Sequence, residues 1–138
     1  MRSDGASPFK IIIVDDDHDD ALIVREVLNG IDELIHVEHV SDGQDLIDLL
    51  FRKKIPDLIF LDLNMPRKGG IETLREIRND KQWHEIPVTV LSTASNHDQI
   101  GEAYSYGANC YITKQDRYSD WIKVMKGLVN FFGRENYS

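Results

Sequence analysis

The 138-residue chain has one cysteine, Cys110, which excludes an internal disulfide and fits a reducing compartment. No run approaches the roughly 18 apolar residues of a membrane-spanning helix. The opening stretch "MRSDGASPFK" lacks the apolar segment of a signal peptide. A soluble, cytoplasmic protein with no membrane partner is therefore expected. Basic residues are also scarce: 16 Lys and Arg stand against 24 Asp and Glu, a net charge of −8. That leaves no basic face to neutralise phosphates, so no nucleic-acid partner is expected. Internal repeats, low-complexity segments and linkers are absent too. The simplest organisation is one domain over 1–138, with a core at about 9–132 and no output domain.

What is present alternates between two kinds of segment. Short apolar runs rich in β-branched residues read as strands: "KIIIV" (10–14), "IHVEHV" (35–40), "DLIFL" (57–61), "VTVL" (88–91) and "CYI" (110–112). Amphipathic stretches at helical spacing lie between them. In "ALIVREVLNG", Leu22, Val24, Val27 and Leu28 are available to a core, and Asn29-Gly30 reads as a stop. "DGQDLIDLLFRKK" carries Leu46, Ile47, Leu49 and Leu50 on one stripe, with basic residues in its last turn, where they suit the helix dipole. "GIETLREIRND" places Ile71, Leu74 and Ile77 three apart. "HDQIGEAYSYGA" is a weaker helix ended by Gly107, and the last helix offers Trp121, Ile122, Met125, Leu128, Val129 and Phe132. The first and third strands are continuous rather than alternating, as in parallel strands covered on both faces. A doubly wound α/β fold follows, with ligands expected at the carboxyl ends of the strands.

Chemistry collects at those ends. Asp15, Asp16 and Asp17 follow the first strand, Asp62 the third, Ser92 and Thr93 the fourth, and Thr113 and Lys114 the fifth. Ser41 and Asp42, after the second, are explained by a helix cap, as are Asp17 and Asp19. Crowded carboxylates resist ionising unless a cation intervenes. An all-oxygen set suits a hard ion such as Mg²⁺, with Mn²⁺ as an alternative. A lysine and a hydroxyl beside it are what a phosphoryl group requires, and a carboxylate can itself accept phosphate.

At this point the chain resembles the receiver domains of two-component response regulators. The resemblance runs over about 9–132 and rests on "IIIVDDD", "LIFLDLNMPRKGG", "IPVTVLST" and "CYITK" in order. It implies a flavodoxin-like (βα)5 fold with a five-stranded parallel sheet in the order 2-1-3-4-5. It implies Asp62 as phospho-acceptor, Asp16 as direct Mg²⁺ ligand, Asp15 as its neighbour, and Asn64 as a ligand through its backbone carbonyl. Ser92 matches the switch hydroxyl, Lys114 the lysine that pairs with the phosphoryl group, and Tyr111 the switch aromatic. The expected partner is a sensor histidine kinase, with a downstream protein target that the sequence leaves unknown. Details such as "NCYITK" and the long last helix are similar to single-domain regulators that partner phytochrome-like kinases.

Two departures stand out. Gln115 follows the lysine where most receivers carry proline, so a trans peptide and a different loop are expected. Thr93 stands where many carry alanine. Aromatics over 96–112 and 118–132, namely Tyr104, Tyr106, Tyr118, Trp121, Phe131 and Phe132, offer a homodimer or partner face beyond those that pack inside. Two alternatives remain. "VDDD" offers the Asp-x-Asp of a haloacid-dehalogenase-like phosphotransferase, though "LDLNMP" is then unexplained. A non-phosphorylated pseudo-receiver is the other.

Overall fold

Four crossovers return the chain to the same edge of the sheet, so every strand pair is parallel. In the computed structural model, residues 8–52, 55–65, 68–93 and 96–137 are described, with side chains as far as 133. They form β1 (Phe9–Val14), α1 (His18–Ile31), β2 (Ile35–Val40), α2 (Gly43–Arg52), β3 (Leu58–Asp62), α3 (Gly70–Asn79), β4 (Val88–Ser92), α4 (His97–Ser105), β5 (Cys110–Thr113) and α5 (Tyr118–Tyr137). The sheet order is β2-β1-β3-β4-β5, as the resemblance implies. The strand order reverses beside β1 and β3, whose registered pairs run from Ile11–Leu58 to Val14–Leu61.

The continuous apolar runs make sense because each strand feeds two cores. On one face Ile12, Val14, Ile59, Leu61, Val88 and Val90 meet Leu46, Leu50, Leu74 and Ala103 of α2, α3 and α4. On the other Ile11, Ile13, Leu58, Phe60 and Leu91 meet Val24, Leu28, Trp121 and Met125 of α1 and α5. Period-two geometry sends neighbouring side chains to opposite faces, so both must be apolar.

Several element ends differ from the spacing-based expectation. Leu22 is 53% exposed, and the buried stripe of α1 is Ala21, Val24, Val27 and Leu28. Seven residues after Ala21 comes Leu28, whereas Leu22 sits one position off that stripe. Asn29-Gly30 does not stop α1, which continues to Ile31 and is capped at Asp32. Asp57 precedes β3 instead of opening it: its carboxylate accepts the Lys10 N–H at 2.8 Å. The basic end expected for α2 is met by Arg52, while Lys53 and Lys54 lie outside the described residues. Gly107 does end α4, with φ +105°. A side chain there would also strike Arg78, whose guanidinium donates to the Gly107 and Ile86 carbonyls at 2.9 and 2.8 Å.

Candidate functional site

The acids are delivered by strand ends that local hydrogen bonds hold in place. Asp62 and Ser92 prove to be the last residues of β3 and β4, registered one pair apart through Asp62–Leu91. Beyond β1, the Asp15 N–H donates to the Val40 carbonyl at 3.1 Å, extending the ladder by one bond. The chain then turns into α1, with the Asp17 N–H donating to Asp15 Oδ1 at 2.9 Å. Asp17 itself is the N-cap, accepting from the N–H groups of Asp19 and Asp20. The capping expectation for Asp17 is thereby met, and Asp19 occupies the first turn. Asp42 is likewise a cap, accepting the Asp45 N–H at 2.9 Å.

Three carboxylates converge. Asp15, Asp16 and Asp62 each offer an oxygen, all within 4.8 Å of one another. Asp15 and Asp62 are 3% and 6% exposed, whereas Asp16 faces solvent. Such a set, without nitrogen or sulfur, fits a hard divalent cation entering from the Asp16 side. Asn64 donates its N–H to Asp62 Oδ1 at 3.1 Å, orienting the carboxylate. Gly69 caps α3 and Gly70 begins it; Pro66 lies outside the described residues.

Lys114 closes the site from β5. Its Nζ lies 2.8 Å from Asp15 Oδ2, 2.9 Å from Asp20 Oδ2 and 3.4 Å from Asp62 Oδ2. Its backbone N–H donates to the Ser92 carbonyl at 2.8 Å, which fixes where the side chain starts. Burial alone would lower the Lys114 pKa. The hydrogen bonds that the ammonium donates to Asp15 and Asp20, with the charges of Asp15 and Asp62, outweigh it and hold the ammonium above its ordinary value. Asp62 is pushed up to about 6, first by burial; the Asn64 N–H opposes this, the Asp15 charge adds to it and the Lys114 charge opposes it. Near neutral pH Asp62 is therefore mainly an anion, though a costly one.

Ser92 is fully buried, with Oγ 3.5 Å from Gln99 Nε2 of α4. Tyr111 is half-buried against the α2–α4 core, and its N–H donates to Tyr104 Oη at 3.1 Å. The loop after Lys114 has a trans peptide before Gln115, whose side-chain amide donates back to the Thr113 carbonyl. Thr93 is exposed at the rim. Asp15, Asp16, Asp62 and Lys114 thus meet at the carboxyl end of the sheet, while Ser92 ends the neighbouring strand with its hydroxyl beside Gln99 and Tyr111 lies along β5.

Two residues of this site were not anticipated. Asp20 was hidden among five acids in six positions (15–17, 19, 20), more than capping requires. His39, on β2, donates from Nε2 to the Asp15 carbonyl at 2.8 Å and packs edge-on against His18. Nothing in the alternation of "IHVEHV" distinguished it. Of the aromatics, Trp121 is buried and Phe132 partly so, while Tyr104, Tyr106, Tyr118 and Phe131 are exposed. Arg75 stacks on Tyr106, 5.0 Å from the ring centre.

Comparison with known proteins agrees with this fold. The model of the response regulator receiver domain matches residues 11–126. Response regulator Rcp1 of Synechocystis sp. is 35% identical over 139 residues, covering 94% of this chain and 93% of Rcp1. Among solved structures, the phosphorylated cyanobacterial phytochrome response regulator RcpA is 37% identical with a TM-score of 0.84, covering 91% of this chain and 94% of that one. The Mn²⁺-bound form of Rcp1 is 34% identical with a TM-score of 0.80, at the same coverages.

Proposed function

This chain belongs to the response regulator receiver family, and we propose that Asp62 takes a phosphoryl group from a sensor histidine kinase. The observation that carries this reading is one carboxylate, Asp62, buried at a strand end between two further carboxylates and an ammonium. Membership in the family sets aside the haloacid-dehalogenase alternative, and the intact acids, hydroxyl and lysine weigh against a pseudo-receiver.

Asp15, Asp16 and Asp62 would hold Mg²⁺ or Mn²⁺, with the Asn64 backbone carbonyl as a further ligand. Bound there, the ion supplies the neutralising charge that lets anionic acceptor and anionic donor approach. Asp62 supplies the nucleophile. An oxygen lone pair forms the new O–P bond as the N–P bond of phosphohistidine breaks, its electrons returning to the imidazole, which takes a proton from solvent. Positioning and charge carry such transfers. Lys114 pairs with one phosphoryl oxygen, and Ser92, 3.5 Å from Gln99 on α4, moves its hydroxyl toward another. Tyr111 follows, coupled to α4 through the Tyr104 hydroxyl.

The readout is a population shift in the α4–β5–α5 face, where the exposed aromatics offer a surface for a protein target or a second copy of the chain. The similarity to Rcp1 and RcpA favours a kinase of the phytochrome type as donor. Incubation with a small-molecule phosphodonor and Mg²⁺, followed by intact-mass measurement, tests the reading. One phosphoryl adduct is expected in the parent protein and none in Asp62→Asn. An adduct that survives this substitution overturns it.

A further inference from the structure

We propose that Asp20 is a positioning residue that competes with the acceptor for Lys114 and so sets how readily Asp62 is phosphorylated. The inference rests on the reading of Asp62 as acceptor and adds a residue to it. An ammonium has three N–H donors. In Lys114 the two short contacts go to Asp15 and Asp20, at 2.8 and 2.9 Å, and Asp62 receives the longest, at 3.4 Å. The lysine is thus drawn toward the first turn of α1 and away from the carboxylate that reacts.

The two short partners are not equivalent. Asp15 belongs to the three-carboxylate cluster, is almost fully buried and is bound by the Asp17 N–H. Asp20 stands outside that cluster. Its position is set by α1, whose N-terminus the Asp17 cap secures, and its side chain is one-third exposed. When a phosphoryl oxygen arrives on Asp62, Lys114 must release an existing acceptor to bind it. Asp20 is the one that water can re-solvate at least cost. Its carboxylate therefore acts as a parking site for the ammonium, and every phosphorylation event must break that contact.

The test is Asp20→Asn, which keeps the shape and removes the charge. Phosphorylation by phosphoramidate and affinity for fluoroberyllate, a phosphoryl mimic, are measured at saturating Mg²⁺. Both should rise by roughly 1.5- to 5-fold, the range of a partly exposed ion pair. Asp19→Asn, the same charge change one residue away and without a Lys114 contact, should leave both within about 1.5-fold, since exposed charges are screened. In a Lys114→Gln background the Asp20 substitution should have no effect. A fall or no change in Asp20→Asn, an equal rise in Asp19→Asn, or a gain that persists without Lys114 would each overturn the proposal. If the parent protein takes neither phosphate nor fluoroberyllate, the acceptor reading fails and this proposal with it; if it binds fluoroberyllate but takes no phosphate from phosphoramidate, the fluoroberyllate affinities of the two variants decide on Asp20.

Discussion

Asp62 is poised between two demands, and its pKa of about 6 records the conflict. A carboxylate left exposed in the unfolded chain ionises near 3.9. Between about pH 4 and pH 6 the unfolded state has therefore lost its proton while the folded state keeps it, so stability falls as pH rises through that window. Above it the full cost of the buried anion remains, of the order of 3 kcal/mol at most. Asp62→Asn should accordingly raise the thermal midpoint at pH 7.5 without divalent ions, and lose that advantage at pH 4. Adding Mg²⁺ at pH 7.5 should stabilise the parent protein more than the variant, which differential scanning measurements at both pH values would check. Thr89 offers a separate residue-scale test. Fully buried in β4, its hydroxyl has no hydrogen-bond partner among the described residues. Thr89→Val should therefore stabilise the protein by about 1 kcal/mol in urea unfolding. The main site residues were legible because each stands within two residues of the end of an apolar run. Asp20 and His39 were not, because their roles depend on where α1 and β2 lie relative to β5 and the β1 turn.

Close approach between elements decides how firmly Asp62 is held. A side chain on Gly70, the first residue of α3, would lie 2.6 Å from the Asp62 carbonyl oxygen and 2.5 Å from Leu63 Cα. Neither is a flexible side-chain end, so the backbone that carries Asp62 must shift. Gly70→Ala should lower stability by about 1–3 kcal/mol. It should also slow phosphorylation by at least about tenfold, since small misplacements cost rate steeply. Gly69→Ala, with nothing within 4 Å, is the matching control and should change either little. Element existence and order were readable from apolar spacing, but ends were not. The extension of β3 and β4 by one residue at their carboxyl ends depends on pairing across the sheet, where Asp62 meets Leu91. Similarly, α1 runs past Gly30 because its packing against the sheet and α5 continues, and a glycine in helical conformation is only mildly unfavourable.

Across the whole molecule, two cores on opposite faces of one sheet leave a single edge where charge can gather. Strand carboxyl ends all point there, so acids from β1 and β3 and a lysine from β5 meet despite separations of up to 99 residues along the chain. The parallel topology thus explains why a fold read from hydrophobic pattern also predicts the site. It equally explains why the partner face is harder to read. Exposed and buried aromatics of α4 and α5 share one sequence pattern, and only the packing into the core shared with α1 and the sheet separates Trp121 from Phe131. The central claim remains that Asp62, and not another acid of the cluster, is modified. Borohydride reduction of the phosphorylated protein converts an aspartyl phosphate to homoserine, which peptide mass spectrometry can locate. Homoserine is expected at position 62 alone; homoserine at position 15 or 16 would place the phosphate on another acid.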